Sequence, residues 1–221
     1  MVAVWSICCR DVPVEPRKPV SGGAGSGKLF SMLMLIVMLT IVLQGMLRDG
    51  VTTWMPSYIA ETYSLSNQTA ILTGVVLPLF GILSLQIVST LYRKYFSNPL
   101  TCAAVIFGVG AVSSLVLWLV ADRAGALSVL FSALLTGSMH GVNLLQTATI
   151  PSFFRKYGNV ATVSGVLNAC TYVGSAVSTY GIAVLSETVG WSGTILLWAL
   201  IAAVGSALCL VCCKPWQRKF G

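Results

Sequence analysis

The chain alternates long apolar stretches with short polar breaks. Six apolar segments cover residues 29–47, 69–92, 100–121, 126–154, 160–189 and 194–213, and the first continues, less apolar, to Tyr58. A helix crosses a bilayer's hydrocarbon core with about 20 mostly apolar residues, and each segment is near or above that length. The alternating segments of about 10 residues that mark a membrane β-barrel are missing. Lipid offers no partner to a free backbone N–H or C=O, so each span must close its hydrogen bonds internally as a helix. The pattern therefore predicts an all-α membrane protein of six transmembrane helices. Pro78, inside the second segment, predicts a kink. The fourth and fifth segments exceed the bilayer's need and predict tilt or projecting ends.

Residues 1–27 read differently. Proline and charge (Val12 to Pro19) give way to Ser21-Gly22-Gly23-Ala24-Gly25-Ser26-Gly27, the composition of a flexible linker. Residues 22–28 also fit the phosphate-loop spacing GxxxxGK. However, Leu29 stands where serine or threonine is required, and no strand precedes the glycines, so the linker reading holds. The division expected is a cytoplasmic segment at 1–27, a membrane domain at 28–213 and a cytoplasmic tail at 214–221.

Composition supports lipid as the solvent. The 221 residues are 56% hydrophobic and only 9% charged, with mean hydropathy +0.87, whereas a soluble domain carries about 25% charged residues. Six spans leave no room for a soluble catalytic domain. The net charge of +7 would suggest nucleic acid on a soluble protein, but here the basic residues gather at helix ends. Arg10, Arg17, Lys18, Lys28, Arg93, Lys94, Arg155, Lys156, Lys214, Arg218 and Lys219 fall on one side, and Arg123 alone in a loop on the other. The positive-inside rule then puts both termini in the cytoplasm of a cell whose plasma membrane holds the protein. Glu61, Asp122, Glu187 and the glycosylation triplet Asn67-Gln68-Thr69 face outside; the triplet recurs by chance and carries little weight. Seven cysteines show neither metal-ligand spacing nor a secreted disulfide pattern. They read as small apolar packing residues, with Cys8, Cys9, Cys212 and Cys213 placed where palmitoylation occurs. No metal, cofactor or nucleic-acid partner is expected; the bilayer is.

Candidate chemistry lies on three spans. Arg48 follows the apolar run 29–47 and is still followed by Trp54, Met55 and Tyr58. A guanidinium at that depth costs about 2.5–3.5 kcal/mol on insertion scales, so such a residue usually faces a wet cavity or a partner. Its planar fork suits phosphate or carboxylate; it can equally snorkel, or pair with Asp49 or another helix. Gln44 and Thr52, four residues either side, share its face. On the fourth span His140, Asn143 and Thr147 line up at spacings of three and four, with Gln146 at the edge. On the fifth, Asn168, Tyr172, Ser175 and Thr179 form a polar stripe among small residues that allow close helix approach. Asn168 and Tyr172 are the two expected to face a cavity.

The run Leu47-Arg48-Asp49-Gly50-Val51-Thr52-Thr53-Trp54-Met55-Pro56-Ser57-Tyr58 resembles the seventh helix of the major facilitator superfamily. More narrowly it is similar to the organophosphate:phosphate antiporters, which include the glycerol-3-phosphate transporters. Leu47, Arg48, Gly50, Trp54, Pro56 and Tyr58 match their pattern Leu-Arg-x-Gly-x-x-x-Trp-x-Pro-x-Tyr. The basic loop Tyr92-Arg93-Lys94-Tyr95 and the opening Gly190-Trp191 of the last span fit the same family. The resemblance implies the C-terminal six-helix half of a twelve-helix carrier. It implies transport of a small anionic or phosphorylated solute, in exchange for phosphate, with Arg48 on the anion. It also implies a partner, either an N-terminal half or a second copy, because such carriers hold substrate between two halves. The family carries a tyrosine three residues before the arginine where this chain has Gly45, and its binding-site histidine belongs to the other half, so His140 is not that residue.

Two other classes compete with a carrier. An intramembrane serine protease of rhomboid type needs its histidine after the serine, yet His140 precedes Ser164-Gly165, which argues against an enzyme. A non-transporting adaptor, or a truncated fragment without activity of its own, is the alternative to a carrier.

Overall fold

The computed structural model describes residues 31–64, 67–121, 125–155 and 159–220. The segment 1–27, with its GxxxxGK spacing, Cys8, Cys9 and its basic residues, lies outside them, as do Lys28, Asp122, Arg123 and Lys156. Among the described residues every long element is helical: α1 (Met32–Tyr63), α2 (Asn67–Tyr95), α3 (Pro99–Val120), α4 (Gly125–Ser152), α5 (Val160–Thr188) and α6 (Gly190–Phe220). All six are long and apolar enough to cross a membrane. The apolar pattern thus reads through to the fold, an all-α arrangement of six long helices among the described residues.

The connections follow from local chemistry. Asn98 caps α3, its side chain accepting from the Leu100 N–H (2.9 Å), with Pro99 at the first helical position where no donor is needed. The same side chain donates to the Cys213 carbonyl (3.1 Å), which ties the start of α3 to α6. Gly190 turns α5 into α6 at φ +74, a conformation open to glycine at no steric cost.

Three pairings organise the bundle: α3 with α6, α1 with α5, and α2 with α4, while α4 also packs on α3 and α1. α4 is the most enclosed helix, and α2 and α5 bury the least of their surface. The main core joins α1, α3, α4 and α6 around Leu47, Met55, Phe107, Leu117, Met139 and Trp198.

Three features depart from the pattern. α1 is one helix from Met32 to Tyr63, about 48 Å at 1.5 Å per residue, so Arg48 sits at its midpoint. α4 contains a π-helical turn at Leu144–Thr149. α6 continues past Cys213, where the apolar segment stops, to Phe220. That extension is packed: Trp216 is buried, its ring 5.5 Å from Phe153 and 4.4 Å from Phe220, and Phe220 lies 5.2 Å from Phe154.

Charge separates by end. Lys219 donates to the Ser31 hydroxyl (3.0 Å), so α6 ends where α1 begins. Arg93, Lys94, Arg155, Lys214 and Arg218 belong to that end. At the opposite end the Trp191 indole donates to Glu61 (2.7 Å) and Tyr63 bonds Ser128 (2.8 Å).

Candidate functional site

Where α1, α4 and α5 meet, the described residues form a connected polar group at mid-span. Arg48 pairs with its neighbour Asp49 through two parallel bonds, Nε to Oδ1 at 2.6 Å and one Nη2 hydrogen to Oδ2 at 2.8 Å. The Ser175 hydroxyl of α5 donates to the same Oδ2. Adjacent residues on a helix do not face each other; the pair forms because the long arginine side chain folds back along the helix surface. Pairing lowers the cost of a charge at this depth, and the two side chains remain 15% and 31% exposed. Asp49 uses one edge of the guanidinium fork. Nη1, with its two N–H groups, makes no hydrogen bond among the described residues.

α5 reaches this point because glycines let its backbone touch α1. A Cβ on Gly45 would overlap the Thr171 carbonyl, and one on Gly174 would overlap the Val42 carbonyl and come 2.9 Å from the Met46 nitrogen. At position 45 the α5 backbone fills the space a side chain would need.

His140 lies on α4, three residues before Asn143. Its Nδ1 is 2.9 Å from the Thr136 carbonyl, and its ring faces the space beside Gly81 of α2. Asn143 follows within a turn; its side-chain oxygen is 3.5 Å from the Thr171 hydroxyl, and its carbonyl accepts from Thr147 (2.8 Å). Asn143 is thus tied through Thr171 and Ser175 to the Arg48–Asp49 pair, while His140 sits a turn away on α4.

The remaining candidates lie elsewhere. Gln44 is fully buried and turned into the core, donating to the Met139 carbonyl (3.2 Å), while its Oε1 has no partner among the described residues. Thr52 donates to the Arg48 backbone carbonyl (2.6 Å), not to an acceptor that would orient the guanidinium. Asn168 and Tyr172 are exposed on α5, Tyr172 by 62%. Asp49 and Thr171 join the junction instead. An acidic residue next to an arginine in an apolar run was the one signal for Asp49; nothing in the spacing singled out Thr171.

Gln146 makes a second buried polar contact, donating to the Thr40 hydroxyl (2.8 Å) from the π turn of α4. Cys102, Cys209 and Cys212 are buried, as packing residues would be. Two apolar grooves, about 310 Å³ beside Phe80, Leu83 and Ile87 and about 180 Å³ beside Val177, Ile182 and Trp198, lie apart from Arg48.

Six apolar helices with a charged, partly open junction at mid-depth are the build of a multi-pass membrane protein. Residues 1–179 match the family model of the Major Facilitator Superfamily. The chain belongs to this family of membrane transporters. No curated protein matches the chain.

Proposed function

We propose that the chain is the C-terminal half of a secondary carrier for a small anionic solute, with Arg48 as the anion ligand. The observation that carries this reading is that Nη1 of a guanidinium held in place by Asp49 at the middle of a transmembrane helix makes no hydrogen bond among the described residues. A fixed fork with one edge spoken for presents the other, already oriented, to a tetrahedral or planar oxyanion. His140 and Asn143 supply further polar atoms beside it. The pattern from Leu47 to Tyr58 supports an organophosphate as the solute, exchanged for phosphate. The gathering of basic residues at the end where α1 begins supports cytoplasmic termini. In this reading a second six-helix unit, another half or another copy, covers the junction, since carriers of this kind rock two halves about a shared site.

Titration of the purified chain with inorganic phosphate and glycerol 3-phosphate tests the assignment. Arg48→Lys keeps the charge but loses the fork, and a charge-assisted hydrogen bond contributes about 1.5–3 kcal/mol. Affinity should therefore fall about tenfold or more, while Lys94→Ala should leave it nearly unchanged. Equal binding by Arg48→Lys and the parent, with normal membrane insertion, would make Arg48 a structural residue.

A further inference from the structure

The pair at mid-span bears on which anions the junction accepts. Asp49 occupies the edge of the Arg48 guanidinium formed by Nε and Nη2, and it accepts from Ser175 as well. Arg48 and Asp49 together carry no net charge. An anion binding the remaining edge, through Nη1 and the second Nη2 hydrogen, meets a cation on its near side and a carboxylate on the far side of the same planar group. The fork's hydrogen bonds are still available to it, but most of the long-range attraction is cancelled. Each extra negative charge on the ligand gains little from Arg48 and is repelled by Asp49.

We infer that Asp49 is a specificity-determining residue: it makes the charge this half contributes to the site neutral, so that the junction selects singly charged oxyanions over doubly charged ones. The inference rests on Arg48 being the anion ligand and narrows the solute class to monoanions carrying a fork-shaped oxygen pair, such as phosphodiesters, alkyl sulfates or carboxylates; inorganic phosphate and phosphate monoesters such as glycerol 3-phosphate would bind in their singly charged, protonated form. Ser175 is the supporting donor, since its hydroxyl holds the carboxylate in the position that blocks the first edge. Gly174, packed on the Val42 backbone, holds Ser175 there.

Sulfate and methyl sulfate separate charge from shape. Both are tetrahedral oxyanions with fixed charges near neutral pH, one a dianion and the other a monoanion. Each is titrated into the full chain in detergent carrying isotope-labelled arginine, and the side-chain NMR signal of Arg48, assigned by its loss in Arg48→Lys, reports binding. The parent should bind methyl sulfate at least as well as sulfate. In Asp49→Asn the order should reverse, sulfate gaining about tenfold or more relative to methyl sulfate, because a carboxylate within a few ångströms acts strongly at the effective dielectric of a protein. Asp49→Glu, which keeps the charge, should keep the parental order. A change in packing alone would alter both affinities together and leave their ratio unmoved. A parent that prefers sulfate about tenfold overturns the inference without any variant having to fold, and so does an unchanged ratio in Asp49→Asn. If neither anion moves the Arg48 signal in any of the proteins, the anion-ligand reading falls and this inference with it.

Discussion

The α1–α5 and α3–α6 seams are both tight, and they are tight in different ways. Along α3–α6 the contact is made by side chains. The Phe107 ring lies over Gly205, the Ser114 hydroxyl donates to the Ile195 carbonyl (3.0 Å), and Ser206 donates to the Ala104 carbonyl (2.8 Å). Trp198, Ala202 and Cys209 fill the remainder, and among the described residues no charged side chain belongs to this core. Along α1–α5 the contact is backbone on backbone, through Gly45 and Gly174, and a charged group lies directly beside it. The first seam has side chains that can shift. The second has none at its closest points, and it joins a helix that otherwise shows much of its surface to the outside. Close approach at α3–α6 holds the bundle together; at α1–α5 it brings a serine from one helix to a carboxylate on another. Small residues allow both, but only the second places chemistry.

Glycine substitutions test this difference, beginning with the largest effect. Gly174→Ala puts a methyl group into the Val42 carbonyl and the Met46 nitrogen, neither of which can rotate away. The helices must separate, at a cost of about 3 kcal/mol or more, the upper range for overpacking. Thermal unfolding in detergent should show the loss, and the Arg48 side-chain signal should move as Ser175 leaves Asp49. Parental stability in this variant would mean that the backbone contact is not there. Gly205→Ala meets the Phe107 ring at 2.7 Å. A ring can tilt, so about 1–2 kcal/mol is expected, with the Arg48 signal unmoved. A change in that signal would show the two seams to be coupled. Gly165→Ala, on α5 with nothing within 4 Å, should alter stability by no more than about 0.5 kcal/mol. A larger loss would reveal a contact on the outer face of α5, such as a second six-helix unit.

The helices were legible because hydropathy reports directly on burial in lipid. The bounds of α2, α3, α4 and α5 fall within three residues of the apolar segments, since those segments end where polar residues must leave the hydrocarbon. α6 ran on because Trp216 and Phe220 found Phe153 and Phe154 to pack against, and a drop in hydropathy at Lys214-Pro215 cannot report a contact with residues some sixty positions earlier. The π turn in α4 was not legible either. It inserts backbone without a sequence mark, and it turns Gln146 from the edge of a face into the core against Thr40.

At the junction, Arg48 stood out in the sequence because a cation in an apolar run is costly wherever it points. His140 and Asn143 stood out because helical spacing is local. Asn168 and Tyr172 share a stripe with Ser175, yet only Ser175 turns inward to the charge. The stripe is wide, and only the position of α1 decides which edge of it is covered.

By itself the sequence determined that the chain lives in a membrane, how many helices cross it, and which spans carry polar groups. All three follow from transfer free energies and helical periodicity, which act residue by residue. The tertiary structure alone decided that Arg48 is paired, that Asp49 and Ser175 hold one edge of its guanidinium, and that Gln44 faces the core. Those outcomes depend on how closely two helix backbones approach, and that distance is set by glycines more than a hundred residues apart, Gly45 and Gly174, meeting across one seam.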